Sequence, residues 1–330
     1  MAVARAGSPI IQVEHLTKRY RKSSTPAVDD ISFDVRPGEL FAFLGPNGAG
    51  KTTTISILTT TLAKTSGKVT VDGHDLDRDP TAVRQRIGII FQNPSLDLHL
   101  SGEENIRLHV ALYGIYPYSP FYRLMAAEYR ERVDRLGSVV GLEDVLHKPL
   151  KTYSGGMKRK LEIIRSLMHR PGILFLDEPT SGLDPVSRHG LWSYLREVRN
   201  EDATTIFLTT HYLEEAEEAD RVCVIDHGRI AMIGTPDEMK GRLLERAILL
   251  DADDRDGLLR ELRSLGLQTG VDATGLVRVA YEGPTAQSIL AQLRTPLSVL
   301  RVHDPSLEEA YVELLRRSDA ADESAEEAAA

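Results

Sequence analysis

The chain has 330 residues, 42% hydrophobic and 27% charged, with a net charge of −9. That leaves room for one large or two ordinary domains with ample core, in the composition of a soluble globular protein. The negative balance argues against wrapping nucleic acid, and with no run approaching the roughly 18 apolar residues of a membrane span the chain is not expected to cross a bilayer by itself.

Residues 1–9 lack the apolar core of a signal peptide. Residues 10–16 alternate as a strand, and Lys18-Arg-Tyr-Arg-Lys22 follows as a basic, exposed turn. A second strand spans 27–35, and Arg36-Pro37-Gly38 turns the chain into an apolar strand over 39–44. The next stretch, Gly45-Pro46-Asn47-Gly48-Ala49-Gly50-Lys51-Thr52-Thr53, fits G-x-x-x-x-G-K-[ST]. A helical pattern over 53–58 completes the strand–loop–helix setting that this motif needs. Glycines let backbone N–H groups turn inward around a phosphate, and the helix dipole beginning at Lys51 adds positive potential. Lys51 suits the β- and γ-phosphates, and the Thr52 hydroxyl suits Mg²⁺.

A strand over 67–72 is expected to close in an Asp72-Gly73 hairpin turn. A short helix over 79–86 leads to a buried strand over 87–91 that ends at Gln92. From Leu96 to Leu150 the pattern is helical. It is broken by the aromatic, Pro-bearing stretch 113–122, which could pack a core or receive a partner. Ser154-Gly155-Gly156 then opens a helix over 158–168, and a capping hydroxyl with two glycines at a helix N-terminus is a second anion site. One phosphate chain has no evident need of two such cradles from one fold. Ser154-Gly155-Gly156 is therefore read as serving the nucleotide held by a second copy of the protein.

Residues 172–177 form an apolar run without a polar face, as in a strand covered on both sides of a parallel sheet. The run ends in Asp177-Glu178. Asp177 suits the surroundings of Mg²⁺, and Glu178 suits polarising a water for attack on a γ-phosphate. Strands over 205–209 and 221–225, each preceded by a helix, complete an α/β core with ligands at the carboxyl ends of its strands. Cys223, the one cysteine, lies in the apolar run Val222–Ile225 and reads as an inert buried thiol of an intracellular protein.

After Leu244 the pattern becomes β-α-β-β-α-β, with strands at 247–251, 267–271, 276–281 and 297–302. Helices over 256–265 and 285–293 separate them, and an amphipathic helix over 306–317 follows. This spells a small split-βαβ, ferredoxin-like α+β domain. Residues 318–330 carry Ala and five carboxylates with no large apolar side chain, hence an expected disordered acidic tail.

Taken together the motifs resemble the ATP-binding cassette (ABC) transporter ATPase subunits, most closely over residues 10–240. Ser154–Met157 matches that family's signature sequence, with Tyr153 and Met157 where the family usually has Leu and Gln. The form is similar to that of multidrug exporters of the daunorubicin-resistance type. The resemblance implies a phosphate-loop ATPase core (1–244) with a helical subdomain at about 96–168, followed by an accessory domain (245–317). It implies ATP and Mg²⁺ as cofactors. Tyr20 resembles the aromatic that stacks on adenine, and Gln92 the glutamine that touches Mg²⁺ and the attacking water. Ser181-Gly-Leu-Asp184 resembles the loop that meets the opposite subunit, and His211 the switch histidine at the γ-phosphate. The expected partners are a second copy or a related ATPase, and separate integral-membrane permease subunits. Contact with the membrane is expected only through the permease, at its cytoplasmic face. Export of a hydrophobic compound is the leading expectation. An importer subunit, a soluble cassette ATPase acting on DNA or the ribosome, and a non-hydrolysing regulatory binder are the alternatives.

Overall fold

A computed structural model describes residues 8–91, 96–243, 246–272, 274–281, 286–303 and 305–317. Gln92 and the tail 318–330 therefore lie outside the described residues. The chain divides into two compact units, with the break after Ile233.

The first unit begins with β1 (Ile11–Lys18), β2 (Val28–Val35), β3 (Leu40–Leu44), α1 (Lys51–Leu58), β4 (Ser66–Val71) and β5 (His74–Asp75). It continues with α2 (Pro80–Arg86), β6 (Ile87–Ile90), α3 (Gly102–Leu112), α4 (Ala127–Val140), α5 (Gly155–Leu167) and β7 (Ile173–Asp177). Its last elements are α6 (Pro185–Asp202), β8 (Thr205–Thr210), α7 (Leu213–Glu217), β9 (Arg221–Asp226) and β10 (Arg229–Gly234).

Two sheets share this unit. Strands β2-β1-β4-β5 form an antiparallel sheet, whose exposed face alternates with a buried one along β1 and β2. The other sheet has the order β10-β9-β3-β8-β7-β6, with β9, β3, β8, β7 and β6 mutually parallel. Every residue of β3, β7 and β8 is buried, which is why β3 and residues 173–176 of β7 are apolar without alternation, while β8 mixes Ile206, Phe207 and Leu208 with three buried threonines. The two sheets meet through aromatic side chains. Phe33 of β2 lies 5.6 Å, centroid to centroid, from both Phe41 and Phe43 of β3, and Phe41 stacks on Phe207 of β8 at 5.5 Å. Such rings bury large areas at fixed geometry and hold the sheet edges that carry the site.

The stretch 96–150 carries the helices α3 and α4, separated as expected by the aromatic segment. A capping box between Ser101 and Glu104 starts α3, and Gly141 ends α4 in the left-handed conformation. The aromatic stretch 113–122 divides: Tyr122 and Tyr116 pack edge-on against the buried Tyr129 of α4, whereas Tyr118 and Phe121 are exposed. Cys223 is fully buried, and burial pushes its thiol far above the ordinary range, so it is inert as expected.

In the second unit α8 (Pro236–Leu243) precedes β11 (Ala247–Asp251), α9 (Arg255–Ser264), β12 (Thr269–Val271), β13 (Val277–Ala280), α10 (Ala286–Leu290) and β14 (Val299–His303). A last helix runs over 307–317. The sheet order is β12-β13-β11-β14, antiparallel throughout. Each β-α-β pair thus brackets a strand of the other pair, which is the split-βαβ topology read from the sequence. Its own core joins Ile248 and Leu250 to Leu258, Leu262, Val277, Val279 and Ile289.

Candidate functional site

The site lies where β3, β8 and β7 end side by side. The parallel register sets Leu44 against Thr210, and Thr209 against Asp177, so the loop after β3 and the acidic end of β7 face the same edge. Gly45 through Gly50 bridge β3 to α1. A Cβ on Gly45 would stand 2.3 Å from the Ile225 carbonyl oxygen, and Gly50 holds φ at +109° with the Ala27 carbonyl 2.5 Å from where a Cβ would be. No other residue fits either place.

Gly50 also leaves α1 without a side-chain cap, in contrast to α5 and α6, which Ser154 and Asp184 cap. The first N–H groups of α1 therefore have no side-chain acceptor, which is the condition for binding an anion there. Lys51 is buried and donates to the carbonyl oxygens of Gly45 (2.7 Å) and Pro46 (3.0 Å). Burial lowers its pKa, while Glu178 and Asp177 act in the other direction. A buried ammonium held by two neutral carbonyls suits exchange onto a phosphate.

Asp177 is buried at the end of β7. Its Oδ1 accepts from the Thr209 hydroxyl at 2.5 Å and from the Thr52 hydroxyl at 3.4 Å. Burial pushes the Asp177 carboxyl up; the hydrogen bond from Thr209 pulls it back. A hydroxyl and a carboxylate so placed are hard oxygen donors, the set that fits Mg²⁺. Glu178 takes the left-handed conformation, φ 46°, with its N–H donating to Thr209 O at 3.1 Å. That conformation is rare for a residue with a side chain and is held here by the neighbouring strand. Glu178 Oε1 lies 3.3 Å from His211 Nδ1.

A cleft of about 470 Å³ opens on these groups, lined by Ala27, Asn47, Gly48, Gly50, Lys51, Thr52, Thr53, Glu178, Ser181 and His211. Tyr20 stands beside it, 44% exposed, its hydroxyl 3.4 Å from that of Thr53. Gly45, Pro46, Ala49 and Asp177 form its framework rather than its lining. Ser154, Gly155 and Gly156 do not line it. Ser154 and Gly155 are exposed at the start of α5, where the Ser154 hydroxyl accepts from Met157 N–H at 3.2 Å. Asp184, also exposed, accepts from the N–H groups of Val186 and Ser187 at 3.0 Å and from the Ser187 hydroxyl at 2.6 Å. Those bonds hold its carboxyl below the ordinary range.

Two residues that sequence reasoning missed belong to this constellation. Thr209 serves both Asp177 and Glu178, and as one of three threonines in β8 it carried no signal of its own in the sequence. Arg159, on α5, reaches the carbonyl oxygens around Glu178. Tyr153 anchors the loop before α5, its hydroxyl donating to Val145 O at 2.6 Å.

Phosphate loop and uncapped helix after β3, with two consecutive carboxylates at the end of β7 on the same sheet edge, define a phosphate-loop nucleoside triphosphatase of the α/β class. A family model described as ABC transporter matches residues 28–181. The chain is 40% identical over 329 residues to the daunorubicin/doxorubicin resistance ATP-binding protein DrrA of Streptomyces peucetius, covering 97% of this chain and 96% of that one. It is 33% identical over 320 residues to the linearmycin resistance ATP-binding protein LnrL of Bacillus subtilis, covering 94% and 99%. Among solved structures it resembles the ATP-binding subunit of an ABC transporter, with a TM-score of 0.62 at 31% identity over 71% of this chain and 92% of that one. It also resembles the cassette MJ0796, solved as a dimer in a post-hydrolysis state with ADP and phosphate; there the TM-score is 0.60 at 26% identity, over 68% and 98%. The chain belongs to the ABC transporter family, as one of its ATP-binding, ATP-hydrolysing subunits. No helix among the described residues is long and apolar enough to cross a membrane.

Proposed function

We propose that this subunit drives export of a hydrophobic compound, such as a drug, an antibiotic or a lipid-like molecule. It does so as a homodimer, or beside a related ATPase, bound to separate permease subunits at the cytoplasmic face of the membrane. The observation that carries the reading is the separation of two anion sites. Lys51 and the open N-terminus of α1 stand in the cleft, while Ser154 and Gly155 are exposed outside it. A second copy would bring its Ser154-Gly155-Gly156 over the first copy's nucleotide, and Asp184 would lie near the junction. The drug- and antibiotic-resistance names of the full-length relatives support export over import.

Within one site, the N–H groups of Gly48–Thr53 and the Lys51 ammonium hold the phosphates of ATP, and Tyr20 stacks on the base. Thr52, Asp177 and Gln92 would hold Mg²⁺, which supplies charge neutralisation across the β- and γ-phosphates when bound. Glu178 orients and deprotonates the attacking water, and His211 steadies both Glu178 and the γ-phosphate. Cleavage removes the γ-phosphate that joins the two copies, and charge repulsion opens them. In this reading residues 1–244 are the ATP-binding domain, 96–168 its helical part, 245–317 an accessory domain and 318–330 an acidic tail. The permease would seat on the helical part, where Leu112 (76%), Phe121 (66%) and Leu124 (70%) are exposed.

Glu178→Gln tests this. Turnover should fall by roughly 100-fold or more, and ATP with Mg²⁺ should convert the variant to a stable dimer on size-exclusion chromatography. Unchanged turnover, or a variant that stays monomeric with ATP, defeats the shared-site reading.

A further inference from the structure

The buried guanidinium of Arg159 sits one turn inside α5, the helix whose exposed N-terminus carries Ser154-Gly155-Gly156. Its Nη2 donates to Asp177 O at 3.0 Å and to Glu178 O at 3.4 Å, and its Nε donates to Pro179 O at 3.0 Å. Its Nη1 donates to Phe91 O, the last described carbonyl before Gln92, and to Glu162 Oε2 at 3.2 Å. One side chain therefore clasps three successive carbonyls through the strained turn at Glu178. It also holds the end of β6, where the helical insert departs. Burying a guanidinium is costly unless it is fully paired, so the clasp can be displaced only as a unit. A rigid fork with five fixed donors transmits a displacement of α5 directly to the Glu178 turn.

We propose that Arg159 is the positioning residue through which the two nucleotide sites of a dimer communicate. When the N-terminus of α5 closes on the partner's nucleotide, the helix carries Arg159 with it and sets the Glu178 turn over the nucleotide of its own chain. The two sites then hydrolyse cooperatively. This rests on the shared-site reading above, in which Ser154-Gly155-Gly156 serves the other copy.

The test is ATPase rate against ATP concentration for the full chain, for Arg159→Met and for Arg159→Lys, beside the binding of a fluorescent ATP analogue. Wild type should show a Hill coefficient above 1. Arg159→Met should lower kcat by about 10- to 100-fold and bring the Hill coefficient to 1, with analogue affinity unchanged. Arg159→Lys keeps the charge but not the fork, so it should restore part of kcat and little of the cooperativity. A non-cooperative wild type overturns the proposal. So does either variant with lowered thermal stability and kcat but undiminished cooperativity, because Arg159 is then only a brace. In the Glu178→Gln background, Arg159→Lys should still form the ATP-held dimer. Absence of that dimer in Glu178→Gln alone defeats the shared site itself, whereas dimers in both, with undiminished cooperativity in the Arg159 variants that keep Glu178, defeat only the coupling.

Discussion

His211 and Glu178 face one another at the cleft, with Nδ1 3.3 Å from Oε1. They come from neighbouring strands whose register pairs Asp177 with Thr209, so each stands just past the end of its strand. The carboxylate is mostly covered and the imidazole about one-third exposed, so the histidine forms the outer wall of the pair. His211→Ala should lower kcat by roughly 100-fold while leaving the affinity for an ATP analogue within a few-fold. Affinity falling as far as kcat would make ground-state phosphate binding, and not the steadying of Glu178, the main role of His211.

Two glycines separate folding from assembly. Gly45→Ala forces a methyl to 2.3 Å from the Ile225 carbonyl oxygen, which is backbone and cannot step aside. Stability should fall by about 1–3 kcal/mol, with nucleotide binding lost. A Cβ on Gly155 meets nothing within 4 Å. Gly155→Ala should therefore leave the melting temperature unchanged or raised. Its turnover should still drop at least tenfold, roughly, because the methyl stands where the other copy's phosphates would come. Full turnover in Gly155→Ala removes the α5 N-terminus from catalysis.

Thr209→Val keeps the volume and deletes the hydroxyl that donates to Asp177 Oδ1. Leaving that buried carboxylate short of a donor should cost about 1–3 kcal/mol, read from the denaturation midpoint. The hydrogen bond opposes the upward push of burial on the Asp177 pKa. Without it the pKa rises further, and the carboxylate is protonated at higher pH. The acid limb of the Mg²⁺-dependent ATPase profile should shift upward, and an unmoved limb would show that the ionised Asp177 is not needed.

His109, on α3, predicts acid lability. Its ring packs at a tilt against Tyr113, 4.3 Å between centroids, and burial, with Arg165 and His169 adding to it, lowers its pKa from 6.5 to about 3. Between those two values the unfolded chain binds a proton that the folded one does not, so stability rises with pH through that window. The contribution is fully present above 6.5 and is lost as pH falls toward 3. The melting temperature of His109→Leu should therefore vary less than wild type between pH 6.5 and 4. An identical slope in both proteins would place the acid sensitivity elsewhere.

Much of this was legible in the chain because the chemistry is local. Gly45 to Thr53 are contiguous, and their spacing alone dictates a loop that turns N–H groups inward. Asp177 and Glu178 follow an apolar run whose burial is written in its residues. The order of elements after Leu244 likewise spells the topology of the second sheet. Other features were not legible. The strand β10 follows the hairpin turn at His227-Gly228 and lies at the sheet edge beside β9; most of its residues are exposed or half-buried, so no buried core strand announces itself there. Thr209 looks like any β-branched strand residue. Arg159 binds carbonyls, which every residue carries, so no pattern of side chains announces its partners.

The sequence by itself determined which groups could hold a phosphate and a metal, because steric freedom at glycine and the reach of a lysine or hydroxyl are properties of neighbouring residues. Only the tertiary structure decided that β8 lies between β3 and β7. That order brings Thr52, Asp177 and Thr209 to one edge and leaves Ser154 and Gly155 outside the cleft. Strand order follows from how buried faces pack across the whole unit, and packing is a sum over residues far apart in the chain.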